Sequence, residues 1–206
     1  MDKWDVPQEK SRYTRAGDER RVEIIRAAYM LIAKKGLGGL RISEVAERVK
    51  INNATLLYYF PSKEKLIDAV VVYLSQIFMQ THSPELVLSE TATPQERMHQ
   101  YFLDLEYQIS TSPEQFIVMD ELFMQSLREP GILSIFNGDP SWVSYLKSII
   151  DDGVAQGAYK AAIDSETVAL VIITFCMGLP LLGNFLPEKM IHAIRQFEKS
   201  IVVMLS

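Results

Sequence analysis

The tightest constraint on the fold lies in residues 41–66, where two short amphipathic segments, a tight turn, a proline and the start of a longer amphipathic run follow one another without slack. The stretch Ser43–Val49 is amphipathic through Val45, Ala46 and Val49. Asn52 then caps a helix over about Asn53–Phe60, with Ile51 stapling it from the preceding position. That helix stops at Pro61, and Ser62 caps a longer one from Lys63 to about Gln80 that carries Leu66, Ala69, Val70, Tyr73, Leu74 and Ile77. Two short helices joined this way outline a helix-turn-helix. The geometry asks for a small residue at the crossing, here Ala46, and an apolar residue in the turn, here Ile51. It also asks for apolar residues on the inner side of the second helix, here Leu56 with Leu57 or Phe60. The outer side of that helix, N-terminal residues foremost, is the part that such a motif presents to a major groove.

Charge is distributed to match. The whole chain is acidic, at −5 over 206 residues, but residues 1–80 hold 14 Lys/Arg and 10 Asp/Glu, whereas residues 81–206 hold 7 and 16. Within residues 10–65 the count is 13 basic to 6 acidic. A basic segment joined to an acidic remainder suits a chain with one polyanion-binding part and one unrelated part.

The rest reads as helices too, giving an all-α chain of about nine. Residues 1–17 are polar, contain Pro7 and lack periodicity, so they are expected to form a flexible N-terminal arm. A first helix is expected over about Glu19–Lys35, with Asp18 as cap, Val22, Ile25, Tyr29 and Ile32 as its apolar stripe, and Gly36-Leu37-Gly38-Gly39 as its break. Thr81–Pro94 reads as a soft linker. Helical patterns resume at about Gln95–Ser110, Pro113–Leu127, Pro140–Gln156, Glu166–Leu186 and Pro187–Leu205, with Pro113 and Pro187 in first-turn positions and Gly157 at a helix end. Residues 167–187 carry no charge over 21 positions, long enough to span a bilayer. Pro180, Asn184, Gly178 and Gly183 within the run, and acidic Glu166 and Glu188 beside it, argue instead for a helix buried on one side by its own core and on the other by a second subunit. No apolar leader precedes the basic segment, so a cytoplasmic protein is expected.

The segment RISEVAERVKINNATLLYYFPSKEKLIDAV, preceded by IIRAAYMLIAKKGLGGLR, resembles the DNA-binding domain of the TetR/AcrR family of transcriptional regulators. Val45-Ala46, Thr55-Leu56, Phe60 and Lys63-Glu64-Lys65-Leu66 carry the likeness, which covers about residues 18–80 with the motif at about 41–60. It implies a double-stranded DNA operator as partner. Asn53 and Ala54 would face base edges, Asn53 pairing with adenine and Ala54 meeting a thymine methyl. Thr55, Tyr59 and Lys63 would contact phosphates, Lys63 at a helix N-terminus, and Tyr58 would face the groove. Asn52 is either a pure cap or a phosphate contact. Three departures stand out: Leu57 replaces the usual backbone-contacting tyrosine, Arg41 replaces a capping threonine, and Lys50 replaces the glycine of the turn. Arg41 can reach a phosphate instead. Lys50 requires a left-handed residue or a shifted turn, at a cost of about 1 kcal/mol.

The resemblance further implies that residues 81–206 bind a small-molecule effector and dimerise. Helices at about 166–186 and 187–205 would form an intersubunit four-helix bundle, the second through Ile191, Ile194, Phe197, Ile201, Val202 and Leu205; the bland alternative is a hairpin within a monomer. Phe102, Phe116, Met119, Phe123, Trp142, Tyr145, Phe175 and Met177 suit the lining of a largely apolar pocket, although residues of this kind more often form plain core. Acidic Asp104, Glu106, Asp120 and Glu121 on the same helices would select a cation only if one pointed inward; solvated faces are their expected place.

Catalysis and metals find no support. His82, His99 and His192 are scattered, there is no nucleophile elbow, P-loop or dinucleotide fingerprint, and the lone Cys176 reads as a small buried hydrophobe. No cofactor is expected. Beside a homodimeric, effector-released repressor stand two alternatives: a regulator whose second domain only dimerises or meets a protein, and an all-α enzyme or lipid carrier that no longer binds DNA.

Overall fold

The computed structural model describes residues 15–129, 131, 141–183 and 186–206. Among them are nine α-helices: α1 (Arg15–Lys35), α2 (Ile42–Arg48), α3 (Asn53–Tyr59), α4 (Lys63–Gln80), α5 (Pro94–Thr111), α6 (Glu114–Ser126), α7 (Ser141–Ala155), α8 (Ser165–Gly183) and α9 (Pro187–Leu205). A single 3-10 turn, Leu37–Gly39, follows α1. Most of the expected arm, residues 1–14, lies outside the described residues, as does the expected start of α7 at Pro140. Arg15 to Gly17 are already helical, so Asp18 sits in the first turn of α1 and does not cap it.

The chain divides into two compact units, residues 1–70 and 71–206. The division falls inside α4, not after it. This helix gives Leu66, Ile67 and Val70 to the first unit and Val71 and Leu74 to the second, all buried, so no linker composition marks the boundary.

In the first unit α1 packs against α2, and α2 against α3. The buried stripe of α1 is Ile24, Ala28, Leu31 and Ile32 with Tyr29, whereas Val22 is 40% exposed, which turns the expected stripe by part of a helical step. Arg20 donates from Nη1 to the Val49 carbonyl at 3.1 Å, and Arg21 donates to the Tyr59 carbonyl at 3.0 Å. Two neighbouring cations of α1 thus sit at the carbonyl ends of α2 and α3, where helix dipoles favour positive charge.

In the second unit α7 packs on α5 and α8, α9 on α5 and α8, and α6 on α8. Their shared core runs through Met98, Phe102, Leu105, Leu146, Ile149, Ile172 and Ile194. The segment expected as a soft linker is pinned. Gln108 donates from Nε2 to the carbonyls of Phe78 (3.2 Å) and Thr81 (2.7 Å), and Asp104 accepts from the Ser83 backbone N–H at 2.7 Å. Thr93 and Glu96 form a reciprocal capping box that starts α5 at Pro94, one residue before the expected start at about Gln95. Pro113 takes the N-cap of α6 and not its first turn. Gly157 ends α7 as expected, at φ 71°, with the Ala158 N–H reaching back to the Gly153 carbonyl. A Cβ on Gly153 would lie 2.0 Å from the Tyr159 ring, so only glycine fits there.

Candidate nucleic-acid interface and cavity

The turn between α2 and α3 is built as a Schellman motif. The Lys50 N–H bonds to the Glu47 carbonyl at 3.1 Å and the Ile51 N–H to the Ala46 carbonyl at 3.0 Å, with Lys50 left-handed at φ 55°. Of the two expected solutions, a left-handed residue or a shifted turn, the chain takes the first. The Asn52 Oδ1 accepts from the Thr55 N–H at 2.8 Å and caps α3, while Arg41 precedes α2 with no side-chain cap.

Leu56 and Phe60 are buried, which seats the inner side of α3. Asn53, Ala54, Leu57 and Tyr58 are exposed, and Tyr58 reaches 71%. Their spacing places all four on one outward face. Leu57, offered in the sequence as a possible inner residue, belongs to that face: it follows Leu56 by one residue, about 100° round the helix. Thr55 and Tyr59 are half-buried, and the two tyrosine rings meet edge to face at 5.5 Å. Lys63 opens α4 beside Ser62, whose Oγ accepts from the Lys65 N–H. Arg41 is exposed. The arrangement is a short, capped helix with an exposed outer face, followed at once by Lys63 at the start of α4.

The second unit contains a cavity of about 400 Å³. α6 supplies Phe116, Met119, Asp120 and Phe123, one helical face, and α7 supplies Trp142 and Tyr145. Ile173, Cys176 and Met177 of α8 face them, α5 adds Tyr101, Asp104, Leu105 and Gln108, and Phe78, Met79, His82 and Leu88 complete the wall. Six of the eight residues suggested for a pocket line this cavity. Phe102 does not, being fully buried in the core with its ring edge-on to Tyr101 and Phe197; Phe175 instead stacks on Phe197 at 3.8 Å. Helical periodicity marks an apolar side chain as inward-facing but does not separate core from cavity wall.

Two of the four acidic residues expected on solvated faces line the cavity. Asp104 is satisfied by the Ser83 N–H, by His82 Nδ1 at 2.8 Å and by Gln100 Nε2. Asp120 receives no hydrogen bond or ion pair from the described residues. Burial first, and then neighbouring Glu121, push its carboxyl up to about 6. Glu106 is nearly buried and takes a bidentate ion pair from Arg195, with contacts of 2.8–3.1 Å. Cys176 Sγ lies 3.6 Å from the Tyr101 hydroxyl, and burial pushes the thiol up to about 12, far from a reactive thiolate.

Among the described residues no group of His, Cys, Asp and Glu could hold a metal ion, and no helix is long and apolar enough to cross a membrane.

Residues 24–70 match the family described as bacterial regulatory proteins, tetR family. Over 162 residues the chain is 27% identical to the HTH-type transcriptional repressor NicS of Pseudomonas putida, covering 77% of this chain and 74% of that protein. Over 161 residues it is 26% identical to the HTH-type transcriptional regulator RutR of Escherichia coli, covering 77% and 73%. Its fold is similar to that of a putative TetR-family regulator from Rhodococcus sp., with a TM-score of 0.79 at 22% identity over 92% of this chain and 100% of that one. A TetR regulator from Haloarcula marismortui gives 0.75 at 21% identity, over 91% and 98%.

Proposed function

We propose that this chain is a TetR-family DNA-binding transcriptional regulator and not an enzyme, as the match of residues 24–70 and the similarity to NicS support, and that it acts as a homodimeric repressor released from a palindromic operator by a small, largely apolar effector. The observation that carries the effector half is the cavity of about 400 Å³, walled chiefly by aromatic and methionine side chains, on a chain that also presents a bare recognition helix. A regulator whose second unit only dimerises has no use for such a space.

At the operator, Asn53 reads adenine and Ala54 a thymine methyl, and exposed Leu57 adds a second apolar contact where a phosphate-binding tyrosine is usual. Thr55, Tyr59, Lys63 and Arg41 contact phosphates, and Tyr58 enters the groove. Asn52 acts mainly by holding α3 in register, since its Oδ1 is committed to the cap. One such helix makes few base contacts, so specificity needs two half-sites and hence a dimer. Leu170 and Val171 of α8 and Val202, Val203 and Met204 of α9 are exposed apolar residues that favour pairing through these two helices. The effector acts through α4, whose end supplies Phe78 and Met79 to the cavity wall and whose start carries Lys63. A tenfold loss of operator affinity needs a differential binding energy of about 1.4 kcal/mol.

The test is binding to palindromic fragments from upstream of the protein's own gene, followed by titration of candidate effectors. Specific binding that falls steeply with salt and is relieved by an apolar compound is the expected result. Affinity that stays at the non-specific level on every fragment overturns the repressor reading.

A further inference from the structure

We propose that the cavity of the second unit selects an organic cation, an apolar body bearing an ammonium-type group, with Asp120 as the counter-ion; this rests on the cavity's being the effector site. The two carboxylates in the wall differ in the way that matters. Asp104 has its lone pairs filled by Ser83, His82 and Gln100, so it is a structural tie between α5 and the segment after α4. Asp120 lies on the face of α6 that also presents Phe116, Met119 and Phe123 to the cavity, yet no described residue donates to it or pairs with it. An ionised carboxylate against an apolar, aromatic wall is costly unless something brings it a positive charge. Among the described residues no Lys or Arg lines the cavity. Asp120 is half-buried and keeps some solvent, so an occupant that displaces this solvent must bring the compensating charge itself.

The walls agree with that sign. Trp142, Tyr145, Tyr101 and Phe123 bring aromatic rings to the same space, and ring faces attract cations while repelling anions. A carboxylate ligand would meet Asp120 with no Lys or Arg among the described lining residues to offset it. The raised carboxyl of Asp120, about 6, still leaves it largely ionised near neutrality, which is the state a cation needs.

Calorimetric titration of the full-length protein near pH 7.5 with decyltrimethylammonium, decanol and decanoate, each below its aggregation concentration, separates charge selection from apolar filling. The expected order is cation, alcohol, carboxylate, with the cation about tenfold tighter than the alcohol. In Asp120→Asn the ratio of cation to alcohol affinity collapses toward one, and in Asp120→Glu it is kept. Thermal melts of both variants verify that they fold. Equal affinity for cation and alcohol in the native protein, or a preference that survives Asp120→Asn, overturns the proposal while leaving the cavity as an effector site. Failure of all three probes to bind removes the effector reading as well.

Discussion

The Arg21 guanidinium lies 4.4 Å from the centroid of the Phe60 ring while donating to the carbonyl of Tyr59, so one cation of α1 holds both the last turn of α3 and the aromatic residue that ends it. In the charge count Arg21 is one of the basic residues of an anion-binding segment. In the structure it is an internal clamp. Replacing it by alanine removes a charge-assisted hydrogen bond and a cation–π contact, for an expected loss of about 1–3 kcal/mol. Chemical denaturation measures this, and an unchanged midpoint for Arg21→Ala would show the clamp to be idle.

Lys50 is the one non-glycine residue with positive φ among the described residues, at 55°. Glycine takes that conformation without the Cβ penalty, so Lys50→Gly is expected to stabilise the first unit by up to about 1 kcal/mol. A β-branched residue such as valine should do the reverse. A higher urea midpoint for glycine together with a lower one for valine is the signature; equal midpoints would mean the turn carries no strain.

The roles proposed on α3 and α4 separate in binding assays. Asn53→Ala should relax base preference on operator variants with little change in salt dependence. Lys63→Ala should weaken binding to all sequences and lower the slope of log affinity against log salt by about one. If both changes altered specificity equally, base reading and phosphate anchoring would have been assigned to the wrong residues.

Asp120 makes stability depend on pH with an unusual sign. Its carboxyl is raised from 3.8 to about 6 in the folded state, so between those values the native protein holds a proton that the unfolded chain has released. Stability from this group is therefore present below about pH 4 and is lost as pH rises through about 6. Glu44, held low by Lys35, and Glu96, held low by the backbone and hydroxyl of Thr93, act in the opposite direction. The quantity to read is the difference between Asp120→Asn and the native protein. That difference should grow in favour of the variant from pH 4.5 to pH 7, and a difference that stays flat contradicts the raised carboxyl.

How much was legible before folding varies by residue. The helix starts at Asn53, Lys63 and Pro187 and the stop at Gly157 follow from local chemistry of caps, prolines and glycine, which acts within a turn or two. The sequence also carried the Thr93–Glu96 box, which moves the start of α5 one residue earlier than the Gln95 that periodicity suggests. Leu57 was ambiguous because an apolar residue beside a buried one fits either side of a two-turn helix; only the seating of Leu56 and Phe60 decided it.

By itself, then, the sequence determined an all-helical chain and the capped helix α3, and narrowed the turn at Lys50 to a left-handed residue or a shift, because these depend on neighbours a few residues apart. Tertiary structure decided the rest: that α4 is divided between two units, that Phe102 is core while Phe116 is cavity wall, and that Asp120 lines the cavity without a partner among the described residues. Periodicity tells which residues share a face of a helix. What lies opposite that face, another side chain or empty space, is set by segments distant in sequence, and it is there that ligand chemistry is written.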